Sequence, residues 1–209
     1  MLFSKSELGI YGRVVFVSLV LYGALYAYTS YMGIPNVMNK SVADASIVLI
    51  GLSMWLSSLS YFFTIFDPLI KYRKHLGLVG FAYGVTHIIL SFSALQLLFD
   101  IKTWQTGTMW PALTGLLATV IFSVMTLISN RLMMTKLGVV LWRQILRLGY
   151  IAMIFVVAHV VLLKYARWAT WASELQSPPS TSLMVTVFSL VVILMRLLME
   201  WRIRRTAIR

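Results

Sequence analysis

The chain contains no cysteine. That absence removes thiol catalysis, Fe–S clusters, thiolate-ligated haem and a disulfide scaffold. Acidic residues number six in 209, and histidines three. A zinc or iron centre built from three or four protein ligands needs more histidine, cysteine or carboxylate than the apolar stretches hold. Charged residues are 11% of the chain, where soluble domains carry about 25%. There is no glycine-rich phosphate loop in a strand–helix setting, and no internal repeat. A soluble enzyme with its own nucleotide or flavin domain is excluded.

What the chain has is hydrophobic residues, 60% against about 45–50% in soluble proteins. They fall in long runs without acidic or basic side chains, the pattern of membrane-spanning helices. Six runs are read: Val14 to Met32, Ala45 to Phe66, Leu76 to Phe99, Pro111 to Ser129, Leu148 to Leu163, and Leu183 to Met199, the last holding Arg196. Each approaches the ~20 residues that cross about 30 Å of hydrocarbon. The fifth reaches that length only if Arg147 and Lys164 snorkel from its ends. The expectation is an all-α membrane protein, a six-transmembrane-helix bundle forming one domain over 1–209, with five or seven spans as the competing counts. The longest connection, Lys164 to Ser182, carries Trp168 and Trp171, which suit a segment lying at the headgroups, and Pro178-Pro179, which ends any preceding helix.

The net charge of +12 is read as topology rather than as nucleic-acid affinity. With the N-terminus in the cytoplasm, fourteen basic residues lie inside: Lys5, Arg13, Lys71, Arg73, Lys74, Arg131, Lys136, Arg143, Arg147, Arg196, Arg202, Arg204, Arg205 and Arg209. Four lie outside: Lys40, Lys102, Lys164 and Arg167. Both termini are therefore expected in the cytoplasm. The first span lacks a small-residue cleavage signal and is expected to stay in the mature protein.

Two of the three histidines fall within spans. An intramembrane histidine faces protein or a cavity and is a functional candidate by default. His87 lies 11 residues beyond Leu76, about 16 Å along the axis, and His159 lies 12 residues beyond Arg147, about 18 Å. Both helices run outward, so the two imidazoles share one depth. Two level histidines on separate helices suit the axial positions of one haem iron; the plain alternative is a lone interhelical hydrogen bond from each. Thr86 and Ser91 are near enough in sequence to hold the second ring nitrogen of His87. Met54, Met125 and Met153 are also in spans, where methionine more often packs than ligates. His75 precedes His87 by 12 residues, which rotates it about 120° from the same helix face.

The residues around these histidines add a resemblance. The third span opens Tyr72-Arg73-Lys74-His75-Leu76-Gly77-Leu78, continues through Phe81 and Tyr83, and reaches Thr86-His87. A second block runs Lys136-Leu137-Gly138, Trp142-Arg143-Gln144, Leu148, Tyr150 and His159. Together they resemble the ferric-reductase-like transmembrane family, and most closely its haem-binding membrane subunit of the bacterial periplasmic methionine sulfoxide reductase system. The blocks cover roughly 60 residues; the other spans match only in hydropathy and number. The resemblance implies one non-covalent b-type haem with His87 and His159 as axial ligands to the iron. Many relatives carry a further histidine where Leu146 stands, and its absence argues against a complete second haem near the cytoplasmic face. His75, Arg73 and Arg147 are candidates for contact with a haem propionate or a quinol, and His75 alternatively caps a solvated face.

The implied role is an electron-transfer subunit of an oxidoreductase system in the bacterial inner membrane, without catalytic residues of its own. Electrons would come from a cytoplasmic flavin reductase, the FMN or FAD belonging to that partner, or from a membrane quinol. They would pass to a periplasmic or extracellular acceptor such as a methionine sulfoxide reductase. Competing readings are a structural subunit of a larger membrane complex without haem, a direct ferric-chelate reductase, and, least supported, a small-solute transporter. Cationic groups at the inner ends of the third and fifth spans, including Lys74 and Arg143, mark the side on which electrons would arrive.

Overall fold

The computed structural model describes residues 5–92, 100–106, 109–175 and 177–207. All the regular structure in them is helical. In chain order the elements are α1 (Lys5–Tyr31), α2 (Val37–Phe62), a 3-10 helix (Thr64–Tyr72), α3 (Arg73–Leu90), α4 (Ile101–Thr106), α5 (Trp110–Ile128), α6 (Arg131–Leu137), α7 (Val139–Arg147), α8 (Gly149–Glu174) and α9 (Thr181–Ala207).

Five helical stretches are long and apolar enough to cross a membrane: Glu7–Tyr31, Val37–Phe62, Trp110–Ile128, Val139–Glu174 and Thr181–Thr206. They answer to five of the six expected spans. The expected third span begins as the 18-residue α3, which is not among them. Its first turn is Arg73-Lys74-His75 and its last carries His87, so its mean hydropathy is low. The remainder of that expected span, residues 93–99, lies outside the described residues.

Large apolar side chains crowd the outer surface, including Phe16, Val20, Ile89, Leu127, Leu163 and Leu197. A water-soluble fold would bury such residues; a bilayer accepts them. The buried positions instead include many small polar residues, among them Ser18, Ser41, Ser46, Ser58, Thr186 and Ser189. Between helices in lipid, close packing and local hydrogen bonds replace the hydrophobic effect as the cohesive force.

Helix α2 is the central strut, packed against α1, α3, α8 and α9. Its packing against α3 is the most extensive among the described residues. Ser46 Oγ donates to the Gly80 carbonyl at 2.8 Å, and Ser53 Oγ donates to the Arg73 carbonyl at 2.7 Å. A Cβ on Gly80 would fall 2.9 Å from both the Ile50 nitrogen and the Leu49 Cβ. On the other side of the bundle α5 pairs with α8. An apolar core of Ile50, Met54, Phe122, Ala152, Met153 and Val192 joins the two halves. Met54 and Met153 are packing groups in that core, and Met125 packs against it.

Helices α2 and α8 run further than the hydropathy suggested, as do α1, which starts at Lys5, and α9, which ends at Ala207. Helix α2 starts at Val37 rather than Ala45, enclosing Asn39, Lys40, Ser41 and Asp44. Part of that polarity is met inside the fold: Lys40 pairs with buried Asp44 at 2.8 Å and Asn39 with His87 and Ser91, whereas the buried Ser41 hydroxyl has no hydrogen-bond partner among the described residues. Helix α8 continues to Glu174, so Trp168 and Trp171 are on a helix and not in a long loop. The short connection that follows is tied down by Trp171 donating to the Ser177 carbonyl at 2.7 Å and Tyr28 donating to the Pro179 carbonyl at 2.8 Å. At the other end of the bundle Gly138, at φ +74°, makes the turn between α6 and α7, a backbone state that side chains disfavour.

Candidate functional site: a facing histidine pair

Histidine 87 sits near the end of α3, and His159 in the middle of α8. Their ring centroids are 6.4 Å apart, with planes inclined at 72°. The two imidazoles come from helices that are far apart in sequence, and the matched depth counted from the span starts brings them together.

Each ring is held through Nδ1. His87 Nδ1 lies 2.7 Å from Asn39 Oδ1, and Asn39 Nδ2 in turn donates to Ser91 Oγ at 2.8 Å. His159 Nδ1 lies 2.6 Å from the carbonyl oxygen of Pro111. That carbonyl is fixed in the first turn of α5, where Thr114 Oγ also donates to it at 2.9 Å. With acceptors at both Nδ1 positions, the protons belong on Nδ1 and each Nε2 presents a lone pair, the state in which imidazole binds a metal.

Space for His159 comes from Gly115, one turn after Pro111. A Cβ there would stand 2.9 Å from His159 Nδ1 and 3.2 Å from Cε1. Beside His87 lies a charged layer: the Lys40–Asp44 pair, with Lys164 within electrostatic reach of both.

Of the geometry a bis-imidazole metal centre needs, the separation of the two rings is met. A metal about 2.0–2.1 Å from each nitrogen sets the ring centres roughly 6 Å apart, close to the separation observed. Among the described residues no three His, Cys, Asp or Glu side chains converge into a larger ligand set.

The remaining sequence candidates are elsewhere. His75 is buried, not solvated; its ring packs edge-on against Tyr11 of α1 at 4.4 Å, and its Nδ1 faces the Lys71 carbonyl at 3.2 Å. The rotation from His87 counted along the helix is the reason it faces α1. Thr86 donates to the Ala82 carbonyl and not to His87. Ser91 reaches the His87 ring only through Asn39. Arg73 and Lys74 line a second feature, a cavity of about 470 Å³ toward the start of α3, together with Phe81, Trp142, Leu146 and Tyr150. Tyr150 donates to the Met54 carbonyl at 3.2 Å, and the Arg196 guanidinium, ion-paired with Glu200, lies 5.1 Å from its ring centre. Arg143 and Arg147 are exposed on α7.

The sequence reading did not single out Asn39, the Pro111 carbonyl or Gly115. Asn39 stood in an expected loop, because α2 was read as starting at Ala45. A backbone acceptor leaves no trace in side-chain identity. Gly115 shows only as one glycine in an apolar run. No family model matches the chain, and no curated protein matches it. The resemblance to ferric-reductase-like proteins thus rests on its two motif blocks.

Proposed function

We propose that the chain is a transmembrane b-type cytochrome, an electron-transfer subunit with His87 and His159 as the axial ligands of one haem. The observation that carries this reading is the facing pair itself, two imidazoles 6.4 Å apart, each with Nδ1 engaged. An iron held by two histidines has no open coordination position, so the group supplies one-electron transfer rather than oxygen binding or hydrolysis. The chain's part is to fix both rings, exclude water with its apolar walls and set the electrostatic surroundings. Asn39 and the Pro111 carbonyl keep the protons on Nδ1. With no cysteine in the chain, attachment is non-covalent.

In this reading α3 is the sixth span, both termini are cytoplasmic, and the membrane is the bacterial inner membrane. Helix α3 crosses despite its polar ends because Ser46 and Ser53 of α2 meet its carbonyls and Asn39 meets His87. The cavity lined by Arg73, Lys74 and Tyr150 then opens on the cytoplasmic half, where a flavoprotein docks or a quinol binds. The acceptor is a periplasmic redox partner, with a methionine sulfoxide reductase favoured by the motif resemblance.

The test is direct. Protein purified from haem-replete cells should yield about one extractable haem per chain with a low-spin spectrum. A colourless protein from such cells would refute the proposal.

A further inference from the structure

The two histidines are held by acceptors of different kinds. His159 faces a backbone carbonyl, which no side-chain substitution removes. His87 faces a side-chain amide, Asn39 Oδ1, at 2.7 Å. An amide has two ends, and only one of them serves. If the oxygen faces Nδ1, the ring proton sits on Nδ1 and Nε2 is left as a ligand. If the NH2 faced Nδ1, the ring would accept there and carry its proton on Nε2, blocking the metal-binding face. In this structure the oxygen end faces the ring. The Ser91 hydroxyl, 2.8 Å from Asn39 Nδ2, takes the amide NH2 at the other end. The three side chains form a relay from Ser91 through Asn39 to His87.

The local backbone holds this relay in register. Ser91 is the residue that ends α3, and its own N–H donates to the His87 carbonyl at 2.9 Å. Asn39 is in the first turn of α2, three residues after Asn36, which sits at φ 56°. Both members are therefore at helix ends, where polar side chains are cheap to place, while the ring they orient is inside the bundle.

We infer that Asn39 is a positioning residue that sets the tautomer of His87 and, through it, the strength of that histidine as a ligand; the second half rests on the haem reading above. A second ring N–H bonded to an acceptor raises ligand basicity, and losing such a partner costs about 10–100-fold in metal affinity. The other charges facing this region are the Lys40–Asp44 pair on α2 and Lys164 on α8. They are left intact in every variant below.

The experiment uses full-length protein labelled with ¹⁵N-histidine. With three histidines in the chain, the ring nitrogens give a sparse spectrum. In haem-free protein, His87 should show a protonated Nδ1 and an unprotonated Nε2. Asn39→Leu should move His87 toward the Nε2–H tautomer while His159 keeps its pattern. Asn39→Asp keeps an acceptor and should retain the Nδ1–H state, which guards against a merely unfolded Asn39→Leu. Haem titration should then show about 10–100-fold weaker binding in Asn39→Leu, and a midpoint potential lower in Asn39→Asp than in the unmodified protein. A His87 spectrum unchanged by Asn39→Leu, or His159 shifting equally, overturns the positioning role whether or not the protein binds haem. If the tautomer moves as expected but haem affinity and potential do not, the link to ligand strength is wrong. If no variant or parent binds haem, the cytochrome reading fails while the tautomer result stands.

Discussion

Gly115→Ala separates the haem site from general stability, because its two effects have opposite signs. The added Cβ would stand 2.9 Å from His159 Nδ1 and 3.2 Å from Cε1, where ordinary contact begins at 3.4 Å. The ring must retreat by roughly half an ångström, which lengthens the 2.6 Å bond to the Pro111 carbonyl to about 3.1 Å at most, inside the usual ~3.2 Å limit, so the haem-free protein tolerates the methyl. Coordination draws the ring back against the new methyl, and such overpacking costs about 1–3 kcal/mol. At 1.4 kcal/mol per tenfold, haem should bind about 5–150-fold more weakly. Meanwhile alanine is a better helix former than glycine by about 1 kcal/mol, and Gly115 is in the interior of α5. The haem-free variant should therefore unfold at an equal or higher denaturant concentration. The assay is haem titration beside a denaturant curve of the haem-free protein. Unchanged haem affinity in Gly115→Ala would refute the steric argument. A parallel fall in haem-free stability would show that the glycine serves the bundle and not the histidine.

Four further outcomes are expected. His87→Ala and His159→Ala should each abolish the low-spin haem spectrum, whereas His75→Ala, whose ring packs on Tyr11, should keep it; two haems per chain, or loss on changing His75 alone, would contradict the assignment. Gly80→Ala should lower stability by about 1–3 kcal/mol despite its helix propensity, since the new methyl meets the Ile50 backbone, and an unaltered unfolding midpoint would show that α2 and α3 separate freely. Single cysteines replacing Lys102 and Lys136 in this cysteine-free chain should be labelled from outside the cell at 102 only; the reverse pattern would invert the topology. Arg73→Gln with Lys74→Gln should slow haem reduction by the physiological donor and leave dithionite reduction intact, and equal rates with both would reduce the basic cluster to a topology signal.

Hydropathy made most of the architecture legible, because a bilayer imposes length and apolarity on each span. It failed where tertiary partners compensate for polarity. Asn39, Lys40 and Asp44 look like loop residues, yet each has a partner inside the fold, so α2 begins eight residues earlier than the apolar run. Helix α3 follows the apolar run picked out from Leu76 and opens three residues earlier, at Arg73. Helix α8 outran its apolar segment because nothing in Lys164 to Glu174 breaks a helix. Of the site, the level histidines could be counted out from the span ends. Their second partners could not, since one is a carbonyl and the other lies 48 residues away on a different helix.

The serine bonds from α2 to α3 also bear on how the chain enters its membrane. A helix that opens Arg73-Lys74-His75 and carries His87 has little tendency to leave the translocation channel for lipid by itself. Its neighbour α2 is made first, is apolar enough to insert, and offers Ser46, Ser53 and the Asn39 amide in the register α3 requires. The two helices should therefore be released as a hairpin, with α3 retained at the channel until α2 covers it. His159 follows about 70 residues later on the chain at ≈ 5–20 residues per second of synthesis, so His87 waits several seconds, already oriented, for its counterpart. Under the proposed haem reading, cofactor capture would be a late step in biogenesis, and an error in α2 would appear first as failed insertion of a different helix.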